Sequence, residues 1–208
     1  MHIVHPEIET YLESLLPPRQ SIFYEMEERA EKEDFPVVGP QVGTLLEVLA
    51  RSIYAKQILD LGSGFGYSGL WLARALPPDG KIILSDFEKA NQSLAKQNFK
   101  KAAYEYLMEF RVGDALQIME ELEGPFDIIF NDVDKEFYTR VIDPVHALLR
   151  VGGLFITDNT LWYGKVVEEE VDETTNAIRE FNLKLRKHNG FQTIQLPLRD
   201  GLSISIKR

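Results

Sequence analysis

The sequence predicts an α/β fold. We expect a doubly wound, seven-stranded sheet, mostly parallel, with a C-terminal antiparallel hairpin and helices on both faces. Three observations carry this expectation. From residue 57 onward, short apolar runs alternate with stretches of helical period, as in a parallel sheet built from strand–helix units. The first run leads into a loop with glycine at alternate positions, Gly62, Gly64 and Gly66. The last two runs are separated by a short turn containing Asp200-Gly201, which reads as a hairpin.

The elements follow in order. The first 34 residues read as helical and charged and end near Glu33-Asp34, after which Pro36 and Gly39-Pro40 break the chain. Val42, Leu45, Leu46, Leu49 and Ile53 then recur at helical spacing and give one apolar face. Ile58-Leu59 marks the first strand, Lys81 to Ser85 the second, and Phe110 to Val112 the third. Phe126 to Asn131 marks the fourth and Leu154 to Thr157 the fifth, with helical patterns at Ala90 to Ala102 and Tyr138 to Leu149 between strands. Gln192 to Leu196 and Leu202 to Ile206 form the hairpin. There is no repeat or low-complexity stretch, and 208 residues fit one domain. Residues 1–35 would be a helical cap and 36–208 the ligand-binding core.

Composition narrows the function. The chain is 44% hydrophobic and 27% charged, ordinary values for a soluble globular protein. With no cysteine it can form neither disulfides nor thiolate metal sites, which fits the reducing cytoplasm, the expected location. Met1 to Leu16 carries Glu7, Glu9 and Glu13 and lacks a basic start or long apolar run, so no signal peptide is expected. No membrane span is expected either, since about 18 consecutive apolar residues are needed. A net charge of −10 argues against a broad nucleic-acid footprint, since polyanion binding needs clustered Lys and Arg.

Ligands of open α/β sheets bind beyond the carboxyl ends of the strands. The spacing of Gly62, Gly64 and Gly66 is G-x-G-x-G, whereas a dinucleotide fingerprint needs glycine at position 67, here Tyr67. Asp60 precedes this loop. Its carboxylate suits the cationic amino-acid tail of S-adenosylmethionine and would repel a pyrophosphate; the alternative is a tight turn without a ligand. Asp86 ends the second strand, where it can accept both ribose hydroxyls of an adenosine group or cap the next helix. Asp114 follows the third strand and can meet the adenine edge or, equally, cap its own helix.

Several motifs together resemble a known family. They are the loop ending in Gly66-Tyr67-Ser68, the stretch Phe130-Asn131-Asp132-Val133-Asp134-Lys135, the stretch Asp158-Asn159-Thr160-Leu161-Trp162-Tyr163-Gly164, and Leu196-Pro197-Leu198-Arg199-Asp200-Gly201-Leu202. From about residue 36 to 208 the chain resembles the cation-dependent O-methyltransferases related to the caffeoyl-coenzyme A and catechol enzymes. It departs from them at Asp60-Leu61-Gly62-Ser63, where the family usually has Glu-Ile-Gly-Thr, and at Asn131, where it usually has Ile or Val. The resemblance implies a Rossmann-like fold and methyl transfer from S-adenosylmethionine to a hydroxyl of a small catechol-like or other vicinal-oxygen acceptor. It implies a cofactor site of Val38, Asp60, Gly62, Ser63, Gly66, Ser68, Asp86, Phe87, Asp114, Ala115 and Asp132. It also implies a homodimer, with N-terminal helices closing over the acceptor.

Asp132, Asp158 and Asn159 offer three oxygen donors from the ends of strands four and five. If those strands are neighbours, the donors converge and suit a hard divalent cation, Mg²⁺ first, with Mn²⁺ or Ca²⁺ able to compete. The resemblance implies that Lys135 is the general base and that it acts beside Asp132. A lysine base near pH 7 must titrate well below its ordinary value of about 10.4, and a lysine facing solvent is the competing reading. Asp134 is expected to cap or support rather than ligate. Trp162 and Tyr163 can wall the acceptor pocket or belong to the core. The four histidines have no ligand spacing and receive no role, and Glu168-Glu169-Glu170 reads as a solvated approach to a helix. There is no basic cluster for a coenzyme A phosphate; Arg199 and Lys165 stand alone. A tRNA hydroxyuridine-type O-methyltransferase and a non-catalytic cofactor-binding interaction protein are the competing functions, and a nicotinamide oxidoreductase is disfavoured by Tyr67.

Overall fold

The computed structural model describes residues 3–208, so Met1 and His2 of the expected cap lie outside the described residues. The strands are β1 (Gln57–Leu61), β2 (Lys81–Asp86), β3 (Met108–Val112), β4 (Phe126–Asn131), β5 (Leu149–Thr157), β6 (Phe191–Leu196) and β7 (Leu202–Lys207). They form one sheet in the order β3-β2-β1-β4-β5-β7-β6. The first five strands run parallel, while β7 is antiparallel to both β5 and β6. The predicted architecture is the observed one.

Alternation along each strand divides the core into two layers. Ile58, Ile82, Ile128 and Ile156 pack with α2 (Ser21–Lys32), α3 (Gly39–Ser52), α4 (Tyr67–Ala73) and α5 (Lys89–Lys101). Leu59, Ile83, Ile129 and Phe155 face the other way, toward α6 (Ala115–Glu120), α7 (Tyr138–Leu148) and α8 (Glu173–Lys187). Burial on both faces explains why these strands read as apolar runs rather than as alternating ones. The N-terminal helical region is two helices, α2 and, before it, α1 (Pro6–Ser14), which buries no residue. No helix among the described residues is long and apolar enough to cross a membrane.

One strand differs from expectation. β5 begins at Leu149, five residues before the apolar run that signals it. Leu149 pairs with Phe126, and the register then shifts before Ile128 pairs with Leu154. Gly152, at φ +74, sits in the irregularity, and with Gly153 it hides the strand's first half from any periodicity.

Candidate functional site

The winding of the sheet reverses between β1 and β4, and a cavity of about 520 Å³ lies at their carboxyl ends. The β1–β3 half contributes Gly62, Gly64, Asp86, Phe87, Gly113 and Ala115. The β4–β5 half contributes Asp132, Lys135, Asp158, Asn159, Trp162 and Tyr163. Phe35, Pro36 and Val37 of the α2–α3 linker and Arg199 of the hairpin turn complete it. Sequence reasoning passed over Phe35–Val37 and Asn91, which also line it. Pro36 was the available signal, though it marks a chain break and not a destination.

The loop after β1 needs its first glycine. Gly62 has φ +76, and a Cβ there would lie 2.4 Å from the backbone oxygen of Asp132. The amides of Gly62 and Ser63 donate to the Ser85 carbonyl at 3.0 and 2.9 Å, which holds the loop against the end of β2. Gly66, at φ +87, is the N-cap of α4. A recess of about 20 Å³ is lined by residues including Val38, Ser63, Ser68 and Asp132.

The predicted carboxylates fall into distinct places. Asp60 is fully buried and does not line the large cavity. The Ser68 hydroxyl donates to its Oδ2 at 2.8 Å, while its Oδ1 has no partner. Burial pushes its carboxyl up to about 7, a rise that the Ser68 hydrogen bond opposes and the nearby charges of Asp132 and Asp86 reinforce. Asp86 lines the large cavity; its Oδ2 accepts from the Gly64 amide at 3.0 Å, and its Oδ1 from the Glu88 amide and the Asn91 carboxamide. It therefore ties the glycine loop to the start of α5 while keeping lone pairs for further donors. Asp114 is the N-cap of α6, accepting from Leu116 at 2.7 Å and Gln117 at 3.1 Å. Capping thus occupies Asp114 Oδ1. The cavity lining includes its neighbours Gly113 and Ala115.

Asp132, Asp158 and Asn159 are brought together because β4 and β5 are adjacent and end in register at Asn131 and Thr157. Lys135 Nζ donates to Asp132 Oδ1 at 3.1 Å. It lies 5.5 and 5.6 Å from the ring centres of Tyr138 and Trp162. Asp158 Oδ1 is buried without a partner. Tyr138 donates its hydroxyl to the Asp158 carbonyl at 3.0 Å. Asn159 has φ +58, and its Nδ2 donates to Asp200 Oδ2 at 2.7 Å, leaving Oδ1 as the oxygen it can offer. Burial raises the carboxyls of both Asp132 and Asp158; Lys135 counters the rise at Asp132, whereas Asp132 and Asp200 add to it at Asp158.

Among the described residues no group of three or more His, Cys, Asp or Glu side chains is placed to hold a metal ion. The donor set here is two carboxylates and an amide. An orphaned buried carboxylate oxygen beside other oxygens, with no nitrogen or sulfur ligand, fits a hard divalent cation.

The remaining candidates separate. Asp134 lines the cavity but makes no capping bond, so the expected cap is absent. Lys165 is outside the cavity lining and pairs with Asp172 at 3.7 Å. Arg199 lines the cavity, and its Nη1 donates to the Val37 carbonyl at 2.7 Å. His146 packs against His188 and Phe191, outside the cavity lining. Glu168–Glu170 are exposed ahead of α8, as expected.

Comparison with known proteins identifies the family. The profile of the O-methyltransferase family matches residues 19–208. A catechol O-methyltransferase of Niastella koreensis is 35% identical over 179 residues, covering 81% of this chain and 81% of that protein. A caffeoyl-CoA O-methyltransferase of Medicago sativa is 32% identical over 206 residues, 92% of this chain and 83% of that one. The crystal structure of the O-methyltransferase TomG from Streptomyces achromogenes in complex with S-adenosylmethionine superposes with a TM-score of 0.87 at 29% identity, covering 97% and 96% of the two chains.

Proposed function

The chain belongs to the O-methyltransferase family and is an S-adenosylmethionine-dependent O-methyltransferase, and we propose that it methylates one hydroxyl of a small catechol-like acceptor held through two vicinal oxygens on a divalent cation. The observation that carries this reading is the meeting of Asp132, Asp158, Asn159 and Lys135 on the cavity that the glycine loop also lines.

In this reading S-adenosylmethionine supplies the methyl group, and the cation, held by Asp132, Asp158 and Asn159, lowers the hydroxyl's pKa. Gly62, Ser63, Ser68 and Val38 shape the recess for the cofactor's amino-acid tail, Gly66 opens the helix beside it, and Asp60 stands behind as the counter-charge. Asp86 takes the ribose, while Phe87, Asp114 and Ala115 border the adenine. Lys135 removes the acceptor's proton at Nζ, and Asp132 orients that amine. Trp162 and Tyr163 flank a flat ring. Most of the rate gain comes from holding oxygen and methyl group in line.

The two relatives' names point to vicinal aromatic diols, one free and one carried as a coenzyme A thioester. The charge of the lining favours the free acceptor. Asp86, Glu88, Asp132, Asp134 and Asp158 face only two cations among the described lining residues, Lys135 and Arg199. Even with the cation on Asp132 and Asp158 the lining keeps a small excess of negative charge, and it offers a carrier's phosphates only those two side-chain cations.

The test is transfer of a labelled methyl group to catechol and to phenol, with Mg²⁺ and with excess chelator. We expect turnover of catechol alone, lost on chelation, while calorimetry shows the cofactor still bound. Full activity in chelator, or an active Asp158→Ala variant, would remove the cation from the mechanism.

A further inference from the structure

Arg199 stands in the turn that joins β6 to β7. The Gly201 amide donates to the Leu198 carbonyl at 2.9 Å, which makes Arg199 and Asp200 the turn's two central residues. Of the two only Arg199 has a positive φ, +51. Glycine ordinarily fills a first central position of that kind, because a Cβ is strained there. Asp200 fixes the turn in place. Its carbonyl accepts from the Leu161 amide at 2.9 Å, and its Oδ2 from Asn159 Nδ2 at 2.7 Å. The turn is thereby clamped to the segment that carries Asp158 and Asn159, with Arg199 at its tip.

The strain is shared with the site. Seven non-glycine residues of the described chain have positive φ, and four of them, Asn159, Trp162, Tyr163 and Arg199, line the large cavity. Strain gathered around one cavity points to function.

The guanidinium crosses from the turn to the start of α3. Nη1 donates to the Val37 carbonyl at 2.7 Å, and a Cβ on Gly39 would lie 3.4 Å from Nη1. The helix dipole opposes a cation at a helix N-terminus, so this placement brings no local gain. Among the described residues Nη1 alone of the Arg199 nitrogens meets an acceptor. Lys135, the other cation of the lining, is held by Asp132 at 3.1 Å. Arg199 therefore keeps Nε and Nη2, neighbouring donors on one edge of the guanidinium, and such an edge matches the two oxygens of a carboxylate.

Arg199 also stands where a bound acceptor would leave the site. Only Tyr163 and Arg199 line all three of the large cavity, a cleft of about 630 Å³ between α2 and the start of α3, and a cleft of about 340 Å³ between α1 and the hairpin turn. A substituent that points out of the cavity toward α1 and α2 passes Arg199. Beyond it, the larger cleft carries Glu13, Glu31 and Asp34. A carboxylate that stops at Arg199 is matched, and one that reached farther would meet these acids. We propose that Arg199 is a specificity-determining residue and that the acceptor is a vicinal diol bearing one carboxylate, on the ring or on a short arm, which the free edge of the guanidinium receives. The proposal rests on the acceptor reading given above.

The experiment measures kcat/KM, with Mg²⁺, for protocatechuate (a catechol with a ring carboxylate), catechol and dopamine. The proteins are wild type, Arg199→Gly, Arg199→Gln and Arg199→Lys, with melting and cofactor affinity followed alongside; glycine suits the turn, so Arg199→Gly should fold. Comparing each variant's acid-to-catechol ratio with that of wild type cancels the acceptors' intrinsic reactivity. Arg199→Gly and Arg199→Gln should lower this ratio roughly 10–100-fold, the worth of a hydrogen bond to a charged group, chiefly through KM for the acid. Arg199→Lys, which keeps the charge and loses the fork, should recover part of it. The dopamine-to-catechol ratio should rise in the glycine and glutamine variants. An acid-to-catechol ratio that stays at the wild-type value in both would overturn the proposal. So would an equal fall for all three acceptors, which would leave Arg199 as a tie to Val37 or a counter-charge to Asp132 and Asp158. If wild type methylates none of the three diols, the acceptor reading itself falls and the proposal with it.

Discussion

Replacing Asp60 by asparagine is expected to stabilise the cofactor-free chain, relative to wild type, more strongly as pH rises. Asp60 is fully buried with one oxygen unpartnered, and its carboxyl is raised from 3.8 to about 7. The folded chain thus keeps this proton in a range where the unfolded chain has lost it. Below about pH 3.8 both states hold the proton and titration of Asp60 costs no stability. Between 3.8 and about 7 the folded state binds more protons, so wild-type stability falls by about 1.4 kcal/mol per pH unit and the cost levels off near 4 kcal/mol. Asparagine has no proton to lose, and its Oδ1 can still accept from Ser68. Its new amide donors cost about 1–3 kcal/mol at every pH if left unpaired. The difference between variant and wild type should therefore grow by about 4 kcal/mol from pH 4 to pH 8, whatever its starting value. Urea unfolding of both proteins across that range measures it, because titrations common to both cancel in the difference. A difference that stays flat with pH would show that Asp60 is not a strained carboxyl. The cofactor's ammonium should restore the charge of Asp60, so wild type should bind S-adenosylmethionine more tightly at pH 8 than at pH 6. Asp60→Asn should bind it weakly and without that slope.

Three further outcomes test the site. Gly62→Ala should lose roughly 1–3 kcal/mol from the left-handed backbone alone. The clash with the Asp132 carbonyl adds to this, and a melting temperature equal to wild type would show that the loop can move away. Lys135→Met should lower kcat by about 10²–10⁴, the usual worth of a general base, and leave cofactor affinity intact; an unchanged kcat would exclude Lys135 as the base. Tyr138→Phe removes the hydrogen bond to the Asp158 carbonyl and should cost about 1 kcal/mol in urea unfolding, with a fall in kcat from the displaced carboxylate.

What the sequence reveals depends on how local the cause is. β4 is recovered with its observed ends, Phe126 and Asn131, because a run of apolar residues buried on both faces has sharp boundaries. The glycine loop stands out because positive φ at Gly62, Gly64 and Gly66 selects one residue type. β5 is only half legible, since of its first five residues Leu149 alone has a register partner on β4, ahead of a shift that leaves no periodic trace. The α2–α3 linker is illegible as part of the site: nothing near Phe35 says that it packs on Phe65, 4.8 Å away between ring centres. Asp114 shows another limit: the sequence leaves its capping and ligand roles level, and only the structure shows its Oδ1 taken by the Leu116 and Gln117 amides.

Asn159 joins these limits in one residue. Read locally, it is one oxygen donor beside another, and aspartate would serve as well. The fold supplies a reason against aspartate that lies far off in the sequence. The φ of +58 is not that reason, since asparagine and aspartate both tolerate the left-handed region. Asn159 Nδ2 donates to Asp200, 41 positions away, and a carboxylate there would turn that bond into a repulsion beside Asp132 and Asp158. The amide lets one side chain satisfy Asp200 on one atom and present an oxygen on the other, adding a donor to the site without adding a third negative charge.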